Sequence, residues 1–174
     1  MAQYIQELTS NDLPRPLLLN VNGVAGSGKT FALLKMCVRL QELAEQSRKG
    51  NLVVRAAPTG IAAFNIIGKT LYSLFRLPIK QKMMDLSTTI LQSLQALFQD
   101  VRFVIIDEKS MIDLKTLLII DDRLRQIFPD TDQVFSRLNV LLYGDFFQLL
   151  PVNGRPLYTM KPMGPVAIKG QGLY

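Results

Sequence analysis

The chain has 174 residues, 48% of them hydrophobic, and a formal charge of +6, which is enough apolar mass for one well-cored domain and too little for two large ones. A single cysteine, Cys37, and no histidine exclude an internal disulfide and a Cys/His zinc centre. No apolar run approaches the roughly 20 residues that span a bilayer, and Met1 to Asp12 has neither the basic region nor the apolar core of a signal peptide. The expectation is therefore no membrane partner and a reducing, intracellular compartment. The positive balance suits a nucleic-acid partner, and equally suits solubility alone.

In chain order, Leu17 to Asn20 reads as a strand running into a glycine-rich loop. Leu33, Leu34, Cys37, Val38 and Leu40 then recur at helical spacing, with Lys35, Arg39, Glu42 and Glu45 opposite and Lys49-Gly50 as the stop. Leu52-Val53-Val54 starts a second strand, broken by Pro58. Ile61 to Ile67 and Leu71 to Phe75 read as short helices or turns, and a polar stretch around Lys80 and Lys82 follows. Leu86, Ile90, Leu94 and Leu97 predict a third helix. Phe103 to Ile106 is apolar throughout, as suits a strand covered on both faces, and it ends in Asp107-Glu108. Leu114, Leu117, Leu118, Asp121, Leu124 and Ile127 continue as a helix whose stripe has one polar member, Asp121. Val140 to Tyr143 is another buried strand, ending in Gly144-Asp145. This alternation predicts a doubly wound α/β sheet. Asn153 to Tyr174 is rich in Gly and Pro, lacks periodicity and reads as irregular.

The loop Gly23-Val24-Ala25-Gly26-Ser27-Gly28-Lys29-Thr30 matches G-x-x-x-x-G-K-[ST], with a strand before it and a helix after it. Glycines let backbone N–H groups converge on an anion, and the helix start adds its positive end. Lys29 is positioned for the β- and γ-phosphates of ATP, and the Thr30 hydroxyl for magnesium. The rival reading is an ordinary glycine turn. A phosphate loop needs a carboxylate at a neighbouring strand end to hold the metal, and Asp107 is placed for it. Glu108, next to it, can take a proton from an attacking water, so the pair reads as hydrolysis; alternatively, two acids cap the following helix. Gln148, in the segment after the last buried strand, reads either as a γ-phosphate sensor or as a surface residue behind a helix cap by Asp145. Thr59 and the Gly60 N–H, also at a strand end, can donate to the phosphate of a bound nucleic-acid strand. Phe64, Tyr72 and Phe75 offer either stacking faces or core. Lys69, Arg76, Lys80 and Lys82 add positive charge nearby.

Taken together, these motifs resemble a known family. The first half is Gly23 to Thr30, Ala57-Pro58-Thr59-Gly60-Ile61-Ala62-Ala63 and Gly68-Lys69-Thr70-Leu71-Tyr72-Ser73-Leu74-Phe75. The second is Ile105-Ile106-Asp107-Glu108-Lys109-Ser110-Met111 and Gly144-Asp145-Phe146-Phe147-Gln148-Leu149-Leu150-Pro151-Val152. In this order they look like the Pif-type ATP-dependent DNA helicases, relatives of RecD in superfamily 1. The resemblance implies a three-layer, RecA-like P-loop NTPase domain with a mainly parallel sheet over residues 17–156. Residues 1–16 would be an extension and 157–174 an irregular tail. It implies ATP and Mg2+ as cofactors, and 5′ to 3′ movement on single-stranded DNA in repair, recombination and telomere maintenance. By resemblance, Lys29 binds phosphate, Thr30 and Asp107 hold the metal, Glu108 is the base, Gln148 the sensor, and Pro58, Thr59, Gly60, Thr70 and Ser73 contact DNA. Tyr72 stands where the family has histidine, Leu150 where it has the first of two prolines, and Ser136-Arg137 where two glycines are expected before a strand. Nothing after Val152 resembles the second RecA-like domain, which in the family supplies an arginine to the transferring phosphoryl group; the oligomeric state is not legible. Two rivals remain: another P-loop ATPase or kinase, and a shortened copy that binds nucleotide or DNA without turnover.

Overall fold

The computed structural model describes residues 16–78, 85–152, 154–160 and 164–174. Strands β1 (Leu18–Asn22), β2 (Val53–Ala57), β3 (Lys69–Thr70), β4 (Phe103–Ile106) and β5 (Asn139–Gly144) form one sheet in the order β1-β5-β4-β2-β3, and each of its ladders is parallel. The chain travels between parallel strands through helices: α1 (Lys29–Gln46), α2 (Gly60–Asn65), α3 (Leu71–Phe75), α4 (Thr88–Phe98) and α5 (Leu114–Ile127), with α6 (Pro165–Leu173) after the last strand. β4 and β5 are buried along their whole length because both faces are covered. Val104, Ile106, Val140 and Leu142 face a core built with α3, α4 and α5. Phe103, Ile105, Leu141 and Tyr143 face another built with Leu33, Cys37, Leu40 and Ala44 of α1 and Ala63 and Ile66 at α2. The result is the three-layer α/β arrangement expected from the alternation of elements.

Three local expectations change. Helix α1 stops before Gly50: Ser47 is its C-cap, Arg48 takes the left-handed conformation at φ 53, and Lys49 N donates to Ala44 O at 2.9 Å. That is a Schellman closure with arginine where glycine is usual. In α4 the buried positions are Leu94 and Phe98, with Leu91 half-buried, while Ile90 and Leu97 are exposed. The buried face is turned because Phe98 packs against Phe75 and Phe128, with ring centroids 5.9 and 6.3 Å apart. Finally, the C-terminal tail is not irregular throughout. Leu157 is fully buried, and Pro165–Leu173 form α6 against α5. Gly170 makes this possible: a Cβ there would lie 2.2 Å from the Leu114 carbonyl oxygen. A helix docked through a glycine shows no apolar stripe, so periodicity could not announce it. The N-terminal extension through residue 15 and the lysines at 80 and 82 lie outside the described residues.

Candidate nucleotide site

Because all strands run the same way, the chain leaves β1, β2, β4 and β5 along one edge of the sheet, where open parallel sheets carry ligands. Residues 23–30 leave β1 at that edge. Gly26 and Gly28 have φ of +75 and +82, a left-handed backbone that any Cβ would disfavour. Gly28 is also the N-cap of α1; no side chain caps the helix, and its first turn holds no acid. Its leading N–H groups and positive end therefore remain available to an anion. Lys29 Nζ donates to the carbonyl oxygens of Gly23 at 2.6 Å and Val24 at 2.9 Å, so the loop arches around its own ammonium group.

β4 delivers the acids. Asp107 is buried and accepts the Glu108 N–H at 3.0 Å. Burial raises its carboxyl above the usual range, opposed by that hydrogen bond and by Lys29. Glu108 is raised first by burial and then by the Asp107 charge, with Lys29 opposing and Asp145 adding to the rise. Its backbone is left-handed, φ 54, and it begins the short 3-10 turn Lys109–Met111 rather than a longer helix. Lys109 is fully buried, and desolvation, followed by the Lys29 charge, brings it down to about 8 against the pull of Asp145.

β5 delivers Asp145 and Gln148. Asp145 Oδ1 accepts the Phe147 N–H at 3.0 Å, and Gln148 N donates to Asp145 O at 3.1 Å. Asp145 therefore shapes a tight turn, where one sequence reading had it capping a helix. Gln148 is half-buried and turned to the site.

One cavity of 760 Å³ brings these segments together; its walls include Thr30, Thr59, Asp107, Glu108 and Gln148. Four sequence motifs thus converge on one space. Thr30 and Asp107 offer a hydroxyl and a carboxylate, the hard oxygen donors that suit Mg2+, and a divalent cation beside them would offset the burial that raises both acids. Among the described residues no group of three His, Cys, Asp or Glu gathers to cage a metal, so any remaining ligands would be phosphate oxygens and water.

The residues expected at DNA separate into two groups. Pro58 and Thr59 are half-buried and Gly60 exposed, at the end of β2. Thr59 Oγ1 accepts Ala62 N at 3.2 Å as the N-cap of α2. Thr70 Oγ1 likewise accepts Ser73 N at 3.2 Å as the cap of α3, with Ser73 exposed and neither lining the cavity. Of the three aromatics, Phe75 is core, whereas Phe64 and Tyr72 are exposed. Sequence reasoning passed over Lys109, Asn20, Asn22 and Phe146. The signal was two asparagines alternating within the strand that feeds the loop.

A parallel sheet covered on both faces, with a phosphate-loop motif leaving one strand and an acid pair leaving another, defines a P-loop NTPase domain of the RecA-like class. The chain belongs to the PIF1-like helicase family, whose model matches residues 3–161. It is 33% identical over 139 residues to the ATP-dependent DNA helicase Pif1 of Psychrobacter sp., a match covering 78% of this chain and 20% of that protein. It is 35% identical over 136 residues to the ATP-dependent DNA helicase RRM3 of Saccharomyces cerevisiae, covering 75% and 18%. Among solved structures, the Bacteroides Pif1 helicase in complex with ADP-AlF3 and ssDNA is 35% identical with a TM-score of 0.62, covering 87% of this chain and 33% of that one. The Candida albicans Pif1 helicase is 26% identical with a TM-score of 0.64, over 87% and 33%. The chain therefore spans about a fifth of the curated relatives. No helix among the described residues is long and apolar enough to cross a membrane.

Proposed function

We propose that this chain is the first motor domain of an ATP-dependent DNA helicase, carrying one half of its ATP pocket and part of its single-stranded DNA track. The observation that carries this reading is the cavity shared by Thr30, Asp107, Glu108, Gln148 and Thr59. Backbone N–H groups of residues 23–30 and the Lys29 ammonium take the β- and γ-phosphates. Thr30 and Asp107 would hold a magnesium ion, which would supply positive charge at the transferring phosphoryl group. Glu108 orients water and accepts its proton, a role favoured by a carboxyl raised by burial and by Asp107. The Gln148 amide reads the γ-phosphate, and its segment shares a wall with Thr59, which links nucleotide state to the DNA-gripping motif of Pro58, Thr59 and Gly60. Thr70 and Ser73 extend that track. The Bacteroides relative holds ADP-AlF3 and ssDNA together, which supports this pairing of ligands. Movement from 5′ to 3′, roles in repair, recombination and telomere maintenance, and a nuclear or mitochondrial place in a eukaryote follow from the family reading.

Lys29→Ala should abolish nucleotide binding, while Glu108→Gln should keep binding and stop turnover. Equilibrium binding of a fluorescent ATP analogue and a phosphate-release assay measure the two. Undiminished ATP binding by Lys29→Ala would sink the central assignment. A narrower reading, binding with little turnover, is favoured by one observation: no arginine is among the described residues that line the cavity. An arginine at the transferring phosphoryl group is worth roughly 10³ to 10⁵ in rate. The isolated chain should therefore bind ATP well and turn it over slowly until a second RecA-like domain supplies that group.

A further inference from the structure

β1 has an unexpected composition for the strand that feeds a phosphate loop. Leu19 and Val21 pack toward α1, as the alternation requires, but Asn20 and Asn22 occupy the other face of the strand. Lys109 accounts for them. It follows the acid pair directly, is 0% exposed, and has no carboxylate in hydrogen-bond contact among the described residues. Its Nζ donates instead to Asn20 Oδ1, to Asn22 Oδ1 and, at 3.2 Å, to the Val21 carbonyl oxygen. All three N–H donors of the ammonium are thus engaged by β1, and a buried cation left without acceptors is strongly destabilising. The same ammonium lies 4.8 Å from the centre of the Phe146 ring, two residues ahead of Gln148. β5 is shaped around it as well: a Cβ at Gly144 would lie 2.9 Å from Lys109 Cγ.

We propose that Lys109 is a positioning residue for nucleotide turnover. It ties the strand that leads into Gly23–Thr30 to the acid pair Asp107-Glu108 and to the Gln148 turn. The ATP-binding reading above underlies this assignment. β5 separates β1 from β4 in the sheet, so backbone pairing does not join the phosphate loop directly to the acids. Lys109 makes that join through side chains. It touches no nucleotide; it sets the distance at which the loop, the base and the sensor stand from one another.

Lys109→Met keeps the length and volume of the side chain and removes the three donors. Asn22→Ala, at an exposed position, removes one acceptor without disturbing the core. Amide hydrogen exchange on the nucleotide-free proteins should show roughly tenfold faster exchange in Lys109→Met, confined to residues 20–28 and 145–150, with a smaller rise in the same segments for Asn22→Ala. A merely structural lysine would raise exchange throughout the sheet. In parallel, the wild-type preference for ATP over ADP, read by competition against a fluorescent nucleotide, should fall at least fivefold in Lys109→Met. Wild-type exchange in both segments, or an unchanged ATP-to-ADP ratio, overturns the proposal. If Lys109→Met does not fold, Asn22→Ala decides alone by the same criteria. If the wild-type chain binds neither nucleotide, the ATP reading fails, and the exchange arm still reports whether the strands are coupled.

Discussion

Asp121 is the single acid in the inward stripe of α5, and its surroundings explain why it is tolerated there. It is 3% exposed, its Oδ2 accepts Arg125 Nε at 2.8 Å, and its Oδ1 accepts the buried Phe135 N–H at 2.6 Å. One turn of helix thus neutralises the carboxylate, and the carboxylate in turn satisfies a backbone donor with no place in a ladder. Asp121→Ala leaves that donor orphaned and should cost about 2–3 kcal/mol. Urea unfolding measures it, and a loss below about 1 kcal/mol would mean that water replaces the carboxylate. Cys37 shows the opposite economy. It lies on the buried face of α1, where burial raises its thiol above the usual range despite contact with Arg55. It behaves as a small hydrophobe, not as a nucleophile.

Several elements are joined by backbone that the sequence does not make easy. Before β5, Phe135, Ser136 and Arg137 are all left-handed, with φ of 48, 51 and 65. Two of these are the positions at which the family resemblance led us to expect glycine, and the observed dihedrals supply the physical reason for that expectation. A left-handed non-glycine residue costs roughly 1–2 kcal/mol. Ser136 adds a second penalty, because its buried hydroxyl has no hydrogen-bond partner among the described residues. Ser136→Gly relieves both and should stabilise the chain by about 1 kcal/mol after the entropy of the unfolded glycine is counted. For a chain of this size that is roughly 2–4 °C in Tm, and a fall in melting temperature would contradict it. Ile67 presents the same conflict at the end of α2, β-branched, left-handed at φ 51, and exposed.

At the scale of the molecule, the parts legible in sequence were those written in one place. Gly23 to Thr30 is contiguous, so its loop and helix start could be named outright, and the runs Phe103–Ile106 and Val140–Tyr143 announced strands covered on both faces. What escaped was written in pairs of distant positions. The Asn20, Asn22 and Lys109 contact joins residues 87 and 89 apart in the chain. The docking of α6 rests on one glycine meeting one carbonyl. Gln148 stood undecided between sensor and surface because periodicity does not say which way a loop residue turns, whereas the structure puts it on the cavity wall. Thr59 and Thr70 are, in sequence, candidates for DNA contact, and in the structure both also cap helices.

The place of β1 in the sheet has a bearing on handling the chain alone. Among the described residues β1 is bonded on one side only, to β5, and its other flank presents a row of unpaired N–H and C=O groups beside Leu18, 47% exposed. A naked strand edge recruits a strand from another molecule. The isolated chain should therefore self-associate as its concentration rises, and Leu18→Lys should suppress this by setting a like charge on each incoming copy. Light scattering across a dilution series reads the effect; identical curves for the two proteins would show that this flank is already shielded. A sheet edge without a neighbour among the described residues is, for the purified chain, first a matter of colloidal stability.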